Sequence, residues 1–191
     1  ILDAAPHGVG STFELRLPSG KLVGGSIKQN PGAHNVANGV AVLTLVDALG
    51  LDVELAAEKL AEFSGVRRRF DLVGEAGGVT VVDDYAHHPT EIAATIEAAK
   101  NLDFKRVHVL FQPHRYSRAP LFTEVLRDEF GCAFDGADTI TFMDVYSAGE
   151  APVPGVTGKT FLNVILDHAG HPEAHYVSRR VDVAPAMAAL A

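Results

Sequence analysis

The sequence predicts an α/β fold, a mainly parallel sheet with flanking helices, preceded by a hairpin and two helices. Three observations predict it. From about residue 72 onward, short β-branched runs alternate with amphipathic stretches of roughly 10–15 residues, the pattern of parallel strands joined by helical crossovers. The first 64 residues open instead on period-two alternation around a Pro-Ser-Gly turn. Two of the later apolar runs end abruptly in loops rich in His, Arg, Asp and Tyr, and open α/β sheets place ligands at the carboxyl ends of their strands.

Taken in order, Phe13-Glu14-Leu15-Arg16-Leu17 alternates, turns at Pro18-Ser19-Gly20 and continues through residues 22–27 as a hairpin. Helical spacing of Val36, Val40, Leu43 and Ala48 predicts a helix over 34–49 with Gly50 as its cap, and a second helix spans about 53–63. The pattern changes near Ser64-Gly65, so a boundary is placed between a 1–64 domain and a 65–191 domain. Strands are predicted at 79–82, 107–111, 139–142 and 175–177, with helices at about 90–100, 121–130, 160–168 and from 181 onward. The run at 79–82 is taken as the first strand of the parallel sheet. No strand follows residue 190, and no initiator Met or signal-peptide layout precedes Ile1, so the chain reads as an excised fragment that lacks a last strand.

Composition narrows the function classes. A net charge of −8 disfavours a general nucleic-acid binder, and no apolar run approaches the ~20 residues that span a bilayer. The single cysteine, Cys132, excludes an intrachain disulfide and suits a reducing, cytoplasmic location. Oligomeric state is not readable.

Four segments carry chemistry. In residues 83–91, Asp83-Asp84-Tyr85-Ala86-His87-His88-Pro89-Thr90-Glu91, Asp84 can accept hydrogen bonds from a ribose diol, and Tyr85 and His87 can contact a small polar substrate. The plainer alternative makes Asp83 a turn cap and His88 a helix cap. Paired histidines also raise a metal site, but adjacent side chains diverge and no His-x-x-x-His helix supports one. In Gln112-Pro113-His114-Arg115-Tyr116-Ser117-Arg118, two arginines three apart can grip a carboxylate or phosphate bidentately, or simply solvate a loop. The run Arg67-Arg68-Arg69 is open to the same two readings. Asn35 and Asn38 stand where asparagine caps a helix, and an amide there can alternatively read an adenine edge. Gly158-Lys159-Thr160 mimics the end of a P-loop, but position 153 is Val153 where the motif needs glycine, and no strand precedes it.

In series, Pro31-Gly32-Ala33-His34-Asn35-Val36-Ala37-Asn38, Phe63-Ser64-Gly65-Val66-Arg67-Arg68-Arg69-Phe70, the 83–91 segment, residues 111–118 and Asp144-Val145-Tyr146-Ser147-Ala148-Gly149-Glu150 resemble the Mur ligase family over nearly the whole chain. Within it, the pattern is most similar to members that attach L-alanine to UDP-N-acetylmuramate. A sister ligase adding a preformed peptide, or a non-catalytic nucleotide- or amino-acid-binding module, are the alternatives. The resemblance implies that residues 1–64 end a central ATP-binding domain and that 65–191 form a Rossmann-like amino-acid-binding domain. It implies amide formation through an acyl phosphate, with ATP and Mg2+ as cofactors and the magnesium ligands mainly outside this chain. By position it assigns Asn38, Arg69 and Asp84 to ATP, and Tyr85, His87, Arg115 and Arg118 to L-alanine. It assigns no catalytic residue and no metal ligand within the chain, and implies no nucleic-acid or membrane partner. With no P-loop, the chain alone is expected to lack ligase activity.

Overall fold

The computed structural model describes residues 1–191, in two compact units, Ile1–Tyr85 and Ala86–Ala191. The family resemblance places its boundary about twenty residues earlier, whereas compactness groups the 65–85 segment with the first unit.

The first unit begins with an antiparallel sheet in the order β1-β2-β3, formed by Asp3–His7, Gly10–Arg16 and Leu22–Ile27. The predicted hairpin is β2–β3. Strand β1 was not predicted, because its residues show no alternation and include Pro6; all five are exposed. Proline is tolerated there because an edge strand leaves one row of N–H groups unpaired. Phe13, Leu15 and Leu17 alternate inward and meet Val36 and Leu43 of α1 (Ala33–Ala48) and Val53 and Ala57 of α2 (Val53–Glu62). The Phe13 ring lies where a Cβ on Gly25 would be, 2.2 Å from Cζ, so only glycine fits there. Asp52 caps α2 by accepting the Leu55 N–H at 3.0 Å, and Gly50 turns the chain after α1 at φ 67°.

Two strands close this unit, β4 (Asp71–Ala76) and β5 (Val79–Asp83), paired antiparallel. This corrects the reading of 79–82 as the first strand of the parallel sheet. The cause is local: Gly77 and Gly78, at φ 60° and 81°, form a two-residue turn of the kind that favours hairpins. β4 itself is mostly exposed, so its apolar pattern is weak.

The second unit is built on a parallel sheet, β6-β7-β8, formed by His108–Phe111, Thr139–Met143 and Glu173–Val177. Around it run α3 (Pro89–Lys100), α4 (Arg127–Cys132), α5 (Gly158–Leu166) and α6 (Val183–Leu190). Every residue of the central strand β7 is buried. Its Phe142 joins Phe111, Phe122, Phe130, Phe134 and Phe161 in one aromatic core, with ring pairs 5.1–6.4 Å apart. The helix predicted at about 121–130 divides into a wide π turn at Leu121–Val125 and α4, with Leu126 leaving helical geometry between them. No helix is long and apolar enough to cross a membrane.

Candidate functional site

In the first unit the arginine run is a constrained turn. Arg68 and Phe70 hold φ values of 59° and 50°, uncommon for residues with side chains. Three carboxylates and one backbone bond hold that conformation. Asp71 accepts the Arg68 N–H at 3.3 Å, Asp83 accepts from Arg68 Nε at 3.2 Å, and Asp84 accepts the Phe70 N–H at 2.8 Å. The Tyr85 N–H donates to the Arg68 carbonyl at 2.8 Å, and the Arg68 and Arg69 guanidiniums stand 5.0 and 6.0 Å from the Tyr85 ring centroid. Arg69, Asp84 and Tyr85 are therefore brought together. Asp83 ties the turn rather than capping it, and Asp84 carries a structural bond as well as its suspected ligand role.

The asparagines do not cap α1. Gly32 occupies the N-cap position without a side-chain bond, and Asn35, inside the first turn, donates instead to the Pro31 carbonyl at 3.1 Å. Asn38 lies a turn further along, exposed, with its amide 3.5 Å from Asn35 Oδ1. The capping reading fails because the N-cap is Gly32, three residues before Asn35.

In the second unit His88 is the N-cap of α3, its Nδ1 accepting the Thr90 N–H at 3.4 Å, with Pro89 at the first helical position. Glu91 returns the contact, accepting the His87 and His88 N–H groups at 3.2 and 3.3 Å. The plain helix-cap reading of His88 is thus the observed one.

Residues 112–118 follow β6, and residues 144–150 follow the neighbouring β7. The two loops run side by side. Arg115 N–H donates to Tyr146 O, and Tyr146 N–H donates to Pro113 O, both at 2.8 Å. The rings of His114 and Tyr146 stack at 5.6 Å. Arg115 sits at φ 70°, and its side chain reaches Glu150 at 3.4 Å. Arg118 ends a short 3-10 turn, with Nη1 buried and without a hydrogen-bond partner; Nδ1 of His114 is in the same condition. Burial, then the nearby Arg118, Arg115 and His87, hold the His114 imidazole below its usual pKa, with Glu150 opposing them. His87, Arg115 and Arg118, each expected to serve one substrate, thus converge electrostatically on His114. A buried donor without a partner costs free energy unless something supplies an acceptor, and Arg118 Nη1 is such a donor.

Sequence reasoning assigned no role to Asp144, Tyr146 or Glu150, although their segment belonged to the motif series. Their position after β7, as 112–118 follows β6, was the available signal. Asp144 accepts the Gly158 N–H at 2.9 Å, and burial followed by its hydrogen bond to Asp144 pushes the Tyr176 phenol up to about 12. Lys159 lies 5.2 Å from the Tyr176 ring centroid. Of the P-loop-like residues, Gly158 thus ties α5 to the residue after β7, Lys159 lies against a β8 ring, and Thr160 accepts the Thr157 N–H at 3.0 Å at the start of α5.

Residues 68–191 match the family model described as Mur ligase, glutamate ligase domain. Among curated proteins, the chain is 43% identical over 90% of its length to a UDP-N-acetylmuramate–L-alanine ligase of Sorangium cellulosum, and 44% identical over 93% to one of Solibacter usitatus. It spans 36% and 37% of the lengths of those two relatives. The crystal structure of UDP-N-acetylmuramate-alanine ligase from Thermotoga maritima covers 95% of the chain with a TM-score of 0.69 and 27% identity, over 37% of its own length. With a family model matched over well over half of its residues, the chain belongs to the Mur ligase family.

Proposed function

We propose that this chain is the C-terminal part of an ATP-dependent ligase that joins L-alanine to the lactyl carboxylate of UDP-N-acetylmuramate, in the cytoplasmic synthesis of peptidoglycan precursors. The observation that carries the reading is 43–44% identity over nine-tenths of the chain to proteins named for that reaction. In it, residues 1–64 end the central ATP-binding domain and 65–191 form the amino-acid-binding domain. The reaction activates the lactyl carboxylate as an acyl phosphate with release of ADP. The alanine amine then attacks the acyl carbon, and phosphate leaves.

This chain's contribution is binding and orientation. Arg118, with its buried donor unpartnered, and Arg115 beside it receive the alanine carboxylate, a pairing suited to guanidinium geometry. By the family resemblance, His87 also serves the amino acid, as does Tyr85. Arg69 and Asp84 meet the nucleotide from a turn whose two left-handed residues cost roughly 1–3 kcal/mol each, and exposed Asn38 offers its amide to the adenine. Such outliers persist where surrounding bonds over-determine them, as Asp71, Asp83 and Asp84 do here. ATP supplies the phosphoryl group when bound. No group of three or more His, Cys, Asp or Glu side chains is placed to hold a metal, so no step is assigned to magnesium through these residues.

The test is steady-state turnover by the full-length protein with ATP, UDP-N-acetylmuramate and either L-alanine or a tripeptide. Alanine-dependent phosphate release is expected. Turnover with the tripeptide and none with alanine would establish the sister ligase. Arg118→Ala is expected to raise the alanine KM at least about tenfold, the scale of one charge-assisted contact, and to leave the ATP KM unchanged. Alone, the 191-residue chain, with no Gly-x-x-x-x-Gly-Lys-Ser/Thr sequence, is expected to release no ADP.

A further inference from the structure

The loop after β7 carries a carboxylate that the proposed reaction does not use. Ala148 and Gly149 are consecutive left-handed residues, at φ 51° and 87°, and the Glu150 N–H closes their turn onto the Ser147 carbonyl at 3.0 Å. The turn delivers the Glu150 side chain to the arginine loop of the neighbouring strand. Oε1 accepts from Ser117 Oγ at 2.6 Å, Oε2 accepts the Ser117 N–H at 3.0 Å, and Arg115 Nη1 donates to Oε1 at 3.4 Å. The Ser117 bonds above all hold the Glu150 carboxyl below its usual pKa, so it is an anion at neutral pH.

The two arginines therefore stand in different states. Arg115 is turned toward an internal anion, while Arg118 has a buried donor without a partner. Ser117 lies between them in sequence, so a carboxylate that grips it fixes the short turn from which Arg118 projects. Residue 115 itself adopts a conformation unusual for a residue with a side chain, and needs such restraint.

We propose that Glu150 is the positioning residue of the amino-acid pocket: it clamps Ser117 and orients Arg115, so that the two guanidiniums present one preformed site for the substrate carboxylate. This rests on the reading of residues 112–118 as the amino-acid loop. Glu150 touches no reacting atom and acts through Arg115 and Ser117.

The experiment compares full-length wild-type protein with Glu150→Ala and Glu150→Gln, measuring KM for L-alanine, KM for ATP, kcat and thermal midpoint. Glu150→Ala is expected to raise the alanine KM about tenfold or more, with the ATP KM and the kcat at saturating alanine held within about twofold. Glu150→Gln retains an acceptor for Ser117 but no charge for Arg115, and is expected to fall between. If Glu150→Ala does not fold, the isosteric Glu150→Gln decides by the same split. An unchanged alanine KM, or parallel losses for alanine and ATP, overturns the proposal. If the wild type turns over a different amino acid, the alanine assignment has failed, and the same split read against that amino acid still decides the role of Glu150.

Discussion

Gly158→Ala isolates a packing constraint from a resemblance to a phosphate-binding glycine. Gly158 opens α5 without a left-handed φ, so the backbone accepts any L-residue, and helix propensity alone favours alanine by up to ~1 kcal/mol. The space does not. A Cβ there would lie 2.0 Å from the Met143 carbonyl oxygen and 2.8 Å from its carbon, with Tyr176 at 3.0 Å. Ordinary contact begins near 3.4 Å, so about 1.4 Å must be recovered by moving helix against strand. That movement draws Phe161 and Ile165 out of the core and lengthens the Gly158 N–H bond to Asp144. Overpacking costs typically 1–3 kcal/mol, and a hydrogen bond to a charged group contributes about 1.5–3. Set against the propensity gain, the net loss is about 2–4 kcal/mol. Urea unfolding followed by circular dichroism measures it. With m-values of about 1–3 kcal/mol/M, the second unit's midpoint should fall by on the order of 1–2 M. An unchanged or raised midpoint would mean that propensity acts alone and that the close approach of α5 to β7 is wrong.

Phe130→Ala removes a ring with no exposed surface that touches five other phenylalanines, and should cost about 3–5 kcal/mol, read as a depressed thermal midpoint. His114 gives a pH dependence. Its pKa is lowered in the folded state, so below the ordinary value of 6.5 the unfolded chain takes up more protons than the native one, and stability falls as pH drops through that window. The ionisable groups facing it are those of Arg118, Arg115, His87 and Glu150. Replacing the imidazole by His114→Gln should flatten this part of the stability–pH curve; an equally steep slope in the variant contradicts the assignment.

Much of the parallel sheet was legible because short strands alternate with amphipathic helices. β7 reads without context, because Thr139-Ile140-Thr141-Phe142 is a run of β-branched and aromatic residues. The hairpin partner of 79–82 was not legible, because Asp71–Ala76 is mostly exposed and shows little apolar alternation. The Gly77-Gly78 pair was the overlooked cue. The asparagines of α1 misled because capping preference acts at a boundary, and Pro31-Gly32 set that boundary elsewhere. His88 was correctly suspected as a cap, since Pro89 and Glu91 are local companions of that geometry.

By itself the sequence determined the α/β class, the family, and the two loops that carry Asp84, Tyr85, His87, Arg115 and Arg118. The class and the loops follow from local chemistry and from the alternation of strands and helices, and the family from the resemblance of its motifs in series. Only the tertiary structure decided which strand pairs with which, that Arg69 packs on Tyr85, and that Glu150, more than thirty residues beyond Ser117, grips the arginine loop. The physical reason is common to all three. Contacts between distant segments depend on register and on left-handed turns such as Ala148-Gly149, and neither is encoded in the residues that make the contact.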